Sequence, residues 1–332
     1  MKRNILLNPG PATTTDTVKQ ALMVPDICPR EEEFGELTKS VLKKIVDVVN
    51  GQSTHSTVIF AGSGTAGVES ALCSVVPEDG KILILDNGAY GKRAETIIQA
   101  YGISHRTLRI EWGDFPDISQ IETVIKEEPK LTHFFLVHHE TTTGMLNPLA
   151  EMLELCEKYE LDSIVDAMSS YAGLPIDLQK QPIDYLISSS NKCIQGMAGV
   201  SFVIANKERL KATSNVPPRN LYLNLWGNHS YIEQTGQFQF TPPVQIVYAL
   251  NQALDEFFKE TQSGRTARYV KSYETLLEGI EQTGLEMLLP ESQHSKLLTA
   301  IVEPQSPEYN FKEMHDHFYE NDVTIYPGKG AK

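Results

Sequence analysis

A chain of 332 residues is long enough for one large core with a smaller satellite domain. Its 29 basic and 43 acidic residues leave a formal charge of −14, which repels a phosphate backbone and excludes nucleic acid as an expected partner, though a local basic pocket stays open to a small anion. The apolar run after Met1-Lys2-Arg3-Asn4 is only Ile5-Leu6-Leu7, too short for a signal peptide, and no later run approaches the roughly 18 apolar residues of a membrane span. No membrane partner and a cytoplasmic location are therefore expected. Cys28, Cys73, Cys156 and Cys193 form no C-x-x-C pair, so neither a disulfide framework nor a thiolate metal site is signalled.

From the N-terminus, apolar and β-branched runs predict strands at 58–60, 81–86, 132–137, 162–166, 185–189 and 200–205. Helical spacing of apolar positions lies between them, at 69–76, 93–101, 119–127 and 148–159. Such alternation predicts an α/β fold with a mostly parallel sheet flanked by helices. The aromatic, polar stretch 221–240, bracketed by Pro217-Pro218 and Pro242-Pro243, lacks strong periodicity and reads as loops around a site. Beyond it the pattern changes to helices at 245–260 and 264–283, a strand at 296–303, a helix at 311–321 and a strand at 323–326. That divides the chain into a large domain, 1–243, and a small α+β domain, 244–332.

The sharpest local motif is Gly62-Ser63-Gly64-Thr65-Ala66-Gly67, between the strand at 58–60 and a helix expected to begin near Val68. Its spacing fits the dinucleotide fingerprint G-x-G-x-x-G, and Asp86 ends the next strand where an acid would hold a ribose hydroxyl, as in an NAD-dependent oxidoreductase. A cup for a terminal phosphate at a helix N-terminus fits equally, because free N–H groups and the helix dipole favour an anion there. An ordinary tight turn is the third reading.

Asp166 ends the strand at 162–166, and Lys192 lies just past the strand at 185–189. If these strands are close in the sheet, both side chains reach one cleft, since open α/β sheets bind ligands at the strands' carboxyl ends. Pyridoxal 5'-phosphate chemistry needs such a pair: an amine to form a Schiff base, and a carboxylate that keeps the pyridine nitrogen protonated as an electron sink. Taken singly, Asp166 reads as a turn residue and Lys192 as a solvated loop lysine. Tyr90 follows a strand end and could lie over a flat ring. His138-His139-Glu140 resembles a metal cluster only superficially, because neighbours on a strand point to opposite faces.

With these residues in view, the chain resembles the class V, fold-type I aminotransferases over nearly its whole length. The resemblance rests on Leu7-Asn8-Pro9-Gly10-Pro11, Ser63-Gly64-Thr65, Asn87-Gly88-Ala89-Tyr90-Gly91, His139-Glu140-Thr141-Thr142-Thr143-Gly144, the Asp166 segment, Ser190-Asn191-Lys192-Cys193-Ile194-Gln195-Gly196 and Phe240-Thr241-Pro242. The run Asn191-Lys192-Cys193-Ile194-Gln195-Gly196 points within the class to a branch acting on aminophosphonates rather than to alanine:glyoxylate relatives. It implies pyridoxal 5'-phosphate bound by Lys192, with Ser63, Gly64 and Thr65 on its phosphate, Tyr90 on its ring, Thr141 or Thr143 near the ring hydroxyl, and Asp166 on the ring nitrogen. It also implies a homodimer with a shared active site, in which Thr241 reaches the other subunit's phosphate. Gly10, Pro11, Ala12 and Arg30 would approach the substrate. The amino donor would be a small molecule such as 2-aminoethylphosphonate and the acceptor a 2-oxo acid such as pyruvate, with serine, alanine or glyoxylate as the alternative within the class. The family carries a substrate-gripping arginine on a strand past the Pro327-Gly328-Lys329-Gly330 segment, which this sequence does not reach, so cofactor binding with poor turnover is expected.

Overall fold

The computed structural model describes residues 4–328; residues 1–3 and 329–332, which include Lys329-Gly330 of the C-terminal segment, lie outside the described residues. In chain order, the strands are β1 (Ile5–Leu7), β2 (His55–Ala61), β3 (Lys81–Asp86), β4 (His105–Arg109), β5 (Leu131–Val137), β6 (His139–Glu140), β7 (Met145–Leu146), β8 (Asp162–Asp166), β9 (Tyr185–Ser189), β10 (Val200–Asn206) and β11 (Val323–Ile325). The helices are α1 (Asp16–Gln20), α2 (Glu32–Asp47), α3 (Gly64–Val75), α4 (Ala89–Ala100), α5 (Ile118–Glu127), α6 (Leu149–Lys158), α7 (Lys207–Ala212), α8 (Leu225–Thr235), α9 (Val244–Glu260), α10 (Gln262–Thr283) and α11 (Phe311–Glu320).

Seven strands form the main sheet in the order β2-β10-β9-β8-β5-β3-β4, parallel except for β10, which runs antiparallel to both neighbours. Because successive side chains leave a strand on opposite faces, each strand feeds two cores. Leu83, Leu85, Phe134, Leu136, Val165 and Leu186 pack under α2, α5, α6 and α9. Ile82, Ile84, Phe135, Val137, Ile164 and Ile187 pack under α3 and α4. Burial on both faces explains the near-continuous apolar runs that made these strands legible. The mostly parallel α/β sheet expected from sequence is the one observed.

Other expectations need correction. The stretch 221–240 holds a helix, α8, started by Asn224 capping Gly227 N–H and stopped by Gly236 in the left-handed region at φ 69°. Only Leu225, Asn228 and Ile232 are buried on it, so its apolar stripe is too thin to read as periodic. The strand expected at 296–303 reduces to one bridge, Met287 with Ile301, flanked by hydrogen bonds from Leu288 N to Ala300 O and from Val302 N to Glu286 O. Lys296 at φ 59° turns the chain at its start and Pro304 cannot donate at its end, so a longer ladder cannot form. Strand β4 sits at the sheet edge with only Leu108 buried, and β1 pairs in parallel with β11 from the other end of the chain; neither was anticipated. Helix α2 also went unread, although Phe34, Thr38, Val41 and Ile45 make a buried stripe against α9. No described helix is long and apolar enough to cross a membrane.

Candidate active site

Strands β5, β8 and β9 are neighbours, and their carboxyl ends build the centre of the site. Asp166, the last residue of β8, stands in register with Val137 of β5 and Ile187 of β9. Beyond β9 the chain turns sharply, with Gly196 N–H donating to Ser190 O and Gln195 N–H to Lys192 O, and this turn presents Lys192. The condition placed on the two strands is met: Tyr90, Thr141, Asp166 and Lys192 line one cleft, together with Val137, His139, Met168 and Ser169.

Each of these side chains is held from behind. Asp166, only 4% exposed, accepts a hydrogen bond from Met168 N–H at 2.9 Å. Burial pushes its carboxyl up to about 6, while the charges of Lys192 and Arg93 pull the other way. Tyr90 is fixed by Glu140, whose carboxylate accepts from Tyr90 N–H at 3.4 Å, and by Thr141, whose hydroxyl donates to the Tyr90 phenol at 3.3 Å. Gly88 lets Glu140 come that close, because a Cβ there would collide with the carboxyl group. Burial raises Glu140 to about 7, against the hydrogen bonds it accepts from Thr142 and Tyr90.

The glycine loop begins helix α3 at Gly64, earlier than the expected start near Val68, with Ser63 as N-cap. Ser63 makes no side-chain capping bond, which leaves first-turn amides to face an anion. Gly64 lies against Met168, where a Cβ would strike the sulfur, and the Thr65 hydroxyl accepts from Arg93 at 3.4 Å. The Arg93 guanidinium lies 5.0 Å from the centre of the Tyr90 ring. Cup, ring and carboxylate are thus tied into one constellation. The dinucleotide reading does not survive, because four strands separate β2, which feeds the glycine loop, from β3, which carries Asp86. That fingerprint needs them side by side.

The N-terminal arm closes over the lysine. Lys192 Nζ donates to Pro9 O at 2.5 Å, Ala12 N–H donates to Asn191 O at 2.9 Å, and Gly10 lies directly against the lysine side chain with Pro11 following it. Arg30 is not among the residues lining this cleft; its guanidinium donates to Phe238 O at 2.6 Å and Gln239 O at 3.3 Å, bracing the segment that leads to Thr241. Thr143 is buried in the β6–β7 turn, its hydroxyl accepting from Met145 N–H, and does not line the cleft. Sequence reasoning missed Met168, Ser169, His139, Glu140 and Arg93 as parts of the site. A signal existed for two of them: Arg93 stands one helical turn from Tyr90, and Met168 two residues from Asp166.

The model of the class-V aminotransferase family matches residues 22–312. The chain belongs to the class-V aminotransferases. Among relatives of this aminotransferase, one from Pseudomonas fluorescens (strain Pf0-1) is 38% identical over 326 residues, covering 98% of this chain and 88% of its own. One from Klebsiella pneumoniae is 39% identical over 328 residues, covering 98% and 89%. Both are named 2-aminoethylphosphonate–pyruvate transaminase. Alanine–glyoxylate aminotransferase from Nostoc sp. superimposes with a TM-score of 0.92 at 25% identity, covering 99% of this chain and 87% of that one. A pyridoxal-phosphate-bound phosphoserine aminotransferase from Trichomonas vaginalis shares the fold, with a TM-score of 0.78 at 14% identity over 99% and 93% of the two chains.

Class-V aminotransferases work with pyridoxal phosphate, and the residues present fit it. A buried carboxylate whose burial opposes its charge awaits a cation, a helix start with an uncommitted N-cap side chain suits a phosphate, and a tyrosine beside a methionine suits a flat ring.

Proposed function

We propose that this class-V aminotransferase moves the amino group of 2-aminoethylphosphonate to pyruvate, giving phosphonoacetaldehyde and alanine. The observation that carries the reading is identity of 36–39% over 98% of the chain with relatives named for that reaction. Placement of Lys192 and Asp166 at the ends of adjacent strands supports it chemically.

When bound, the cofactor supplies an electron sink for the carbon that loses a proton. Lys192 would hold the cofactor and, once its amine is free, take the proton from the amino-bearing carbon of the donor. Asp166 would keep the ring nitrogen protonated, Tyr90 would cover the ring, Thr141 would meet the ring hydroxyl, and Ser63, Gly64 and Thr65 would receive the phosphate with Arg93 as counter-charge. Gly10, Pro11 and Ala12 would wall the substrate side beside the lysine. The site is completed in a homodimer, in which Thr241, on the segment braced by Arg30, enters the partner's phosphate site. Thiols without disulfide partners at Cys28, Cys73, Cys156 and Cys193 support a reducing, cytoplasmic setting.

A donor and acceptor panel tests the reading. Alanine and phosphonoacetaldehyde should form faster from aminoethylphosphonate and pyruvate than products form from serine or alanine with glyoxylate. Faster turnover of the glyoxylate pairs would replace this substrate assignment by the one suggested by the Nostoc structure.

A further inference from the structure

Strand β6 begins with His139, which is only 2% exposed and lines the cleft beside Lys192 and Asp166. No well-formed hydrogen bond reaches either ring nitrogen among the described residues, although the Ser169 backbone carbonyl lies close enough to one of them to favour its proton. The contrast with its neighbour is informative: His138, equally buried, shares a hydrogen bond of 3.0 Å between Nδ1 and Ser170 Oγ, as a core histidine should. The His139 backbone carbonyl accepts from Ser169 Oγ at 3.1 Å and the Ser169 carbonyl in turn faces the ring, so residue 139 is held at the cleft with one ring nitrogen left to accept. An unmade hydrogen bond on a buried polar atom is costly, and a fold keeps one where something bound or moving makes it.

The charged and titratable groups facing His139 are Lys192, His138 and His294. Burial, reinforced by all three, keeps the ring neutral, with a pKa lowered to about 3. A neutral imidazole has one nitrogen that accepts. The Pro9 carbonyl already accepts from Lys192 Nζ. A neutral primary amine has two N–H groups and one lone pair, so two fixed acceptors suffice to aim the lone pair.

We propose that His139 is a positioning residue for the free Lys192 amine: its imidazole accepts one N–H while Pro9 O accepts the other, turning the lone pair toward the substrate carbon. The proposal rests on the proposed role of Lys192 as the group that takes the proton. It predicts that loss of the imidazole slows proton removal while leaving donor binding and cofactor loading in place.

The test compares His139→Leu and His139→Asn with the wild type in the single-turnover half-reaction, using aminoethylphosphonate with hydrogen or deuterium on the amino-bearing carbon. His139→Leu should lower the rate on the order of 10-fold with the donor KM little changed and a larger isotope effect, and His139→Asn, which keeps an acceptor, should recover part of the rate. Without cofactor, His139→Leu should melt about 2–4 °C higher than the wild type, because it removes a buried ring nitrogen with no partner. An unchanged rate and isotope effect in His139→Leu, with a working wild type, would overturn the His139 role alone. A loss of rate in both variants that tracks lost cofactor binding would assign His139 a purely structural place. A wild type that takes no proton from any amino donor would remove the reading of Lys192 and this proposal with it.

Discussion

Gly10 and Lys192 share one space: a Cβ built on Gly10 would stand 2.5 Å from Lys192 Cδ and 2.7 Å from Nζ. The backbone at Gly10 has φ 134°, which side-chain-bearing residues rarely adopt. The arm can close over the lysine only because this position is glycine. Gly10→Ala is therefore expected to dislodge either the arm or the amine, lowering the half-reaction rate roughly 100-fold with a melting temperature close to wild type. A variant that keeps its rate would show that the arm does not set the lysine's position.

Asp166 exchanges stability for chemistry. Its carboxyl is raised from the ordinary 3.8 to about 6 by burial, so the folded chain favours the protonated form. The stability this gives is complete below pH 3.8 and is lost as pH rises through about 6. Asp166→Asn should consequently make the cofactor-free protein more stable than wild type at pH 7–8, with the difference fading toward pH 4. The same change should cost roughly 100-fold or more in turnover by removing the charge opposite the ring nitrogen. Thermal melts across pH and steady-state rates check the two halves separately.

His133 acts in the opposite direction. It is buried near the start of β5, its Nδ1 sharing a hydrogen bond of 2.7 Å with Thr132 Oγ1, and burial lowers it from 6.5 to about 4. A depressed base stabilises the fold above its unfolded pKa, and that contribution is lost as pH falls from 6.5 toward 4. Urea midpoints of His133→Gln should fall less steeply than wild type over that interval. Parallel slopes would remove His133 from the acid transition.

Leu250 lies fully buried on α9, in the core shared with α2 and the sheet. Leu250→Ala should cost about 2–5 kcal/mol in chemical denaturation through a cavity the surrounding helices cannot close. Gly91→Ala tests close approach instead, since its Cβ would meet Leu85 O at 2.5 Å. A cost of about 1–3 kcal/mol is expected, along with a displaced Tyr90. A near-neutral result at either site would mean that the packing relaxes freely there.

The strands that carry the site were legible because they are buried on both faces: 81–86, 162–166 and 185–189 match β3, β8 and β9 end to end. Helix α8 and the shrunken pairing at Met287 and Ile301 were not, because capping by Asn224 and the turn at Lys296 act through single residues that leave no periodicity. The separate two-stranded sheet of β1 with β11 joins the two ends of the chain, a pairing that no local pattern announces.

The sequence by itself determined the parallel α/β layout and the residue types the chemistry needs: a lysine and an aspartate at strand ends and a glycine loop at a helix start. Those properties are local, set by side-chain period, turn chemistry and backbone freedom. Only the tertiary structure decided that β8 and β9 are neighbours, that four strands part the glycine loop's strand from Asp86, that Arg30 braces Thr241's segment, and that His139 faces the lysine. Strand order and the path of side chains into a cleft arise from contacts between distant residues, which spacing along the chain does not encode.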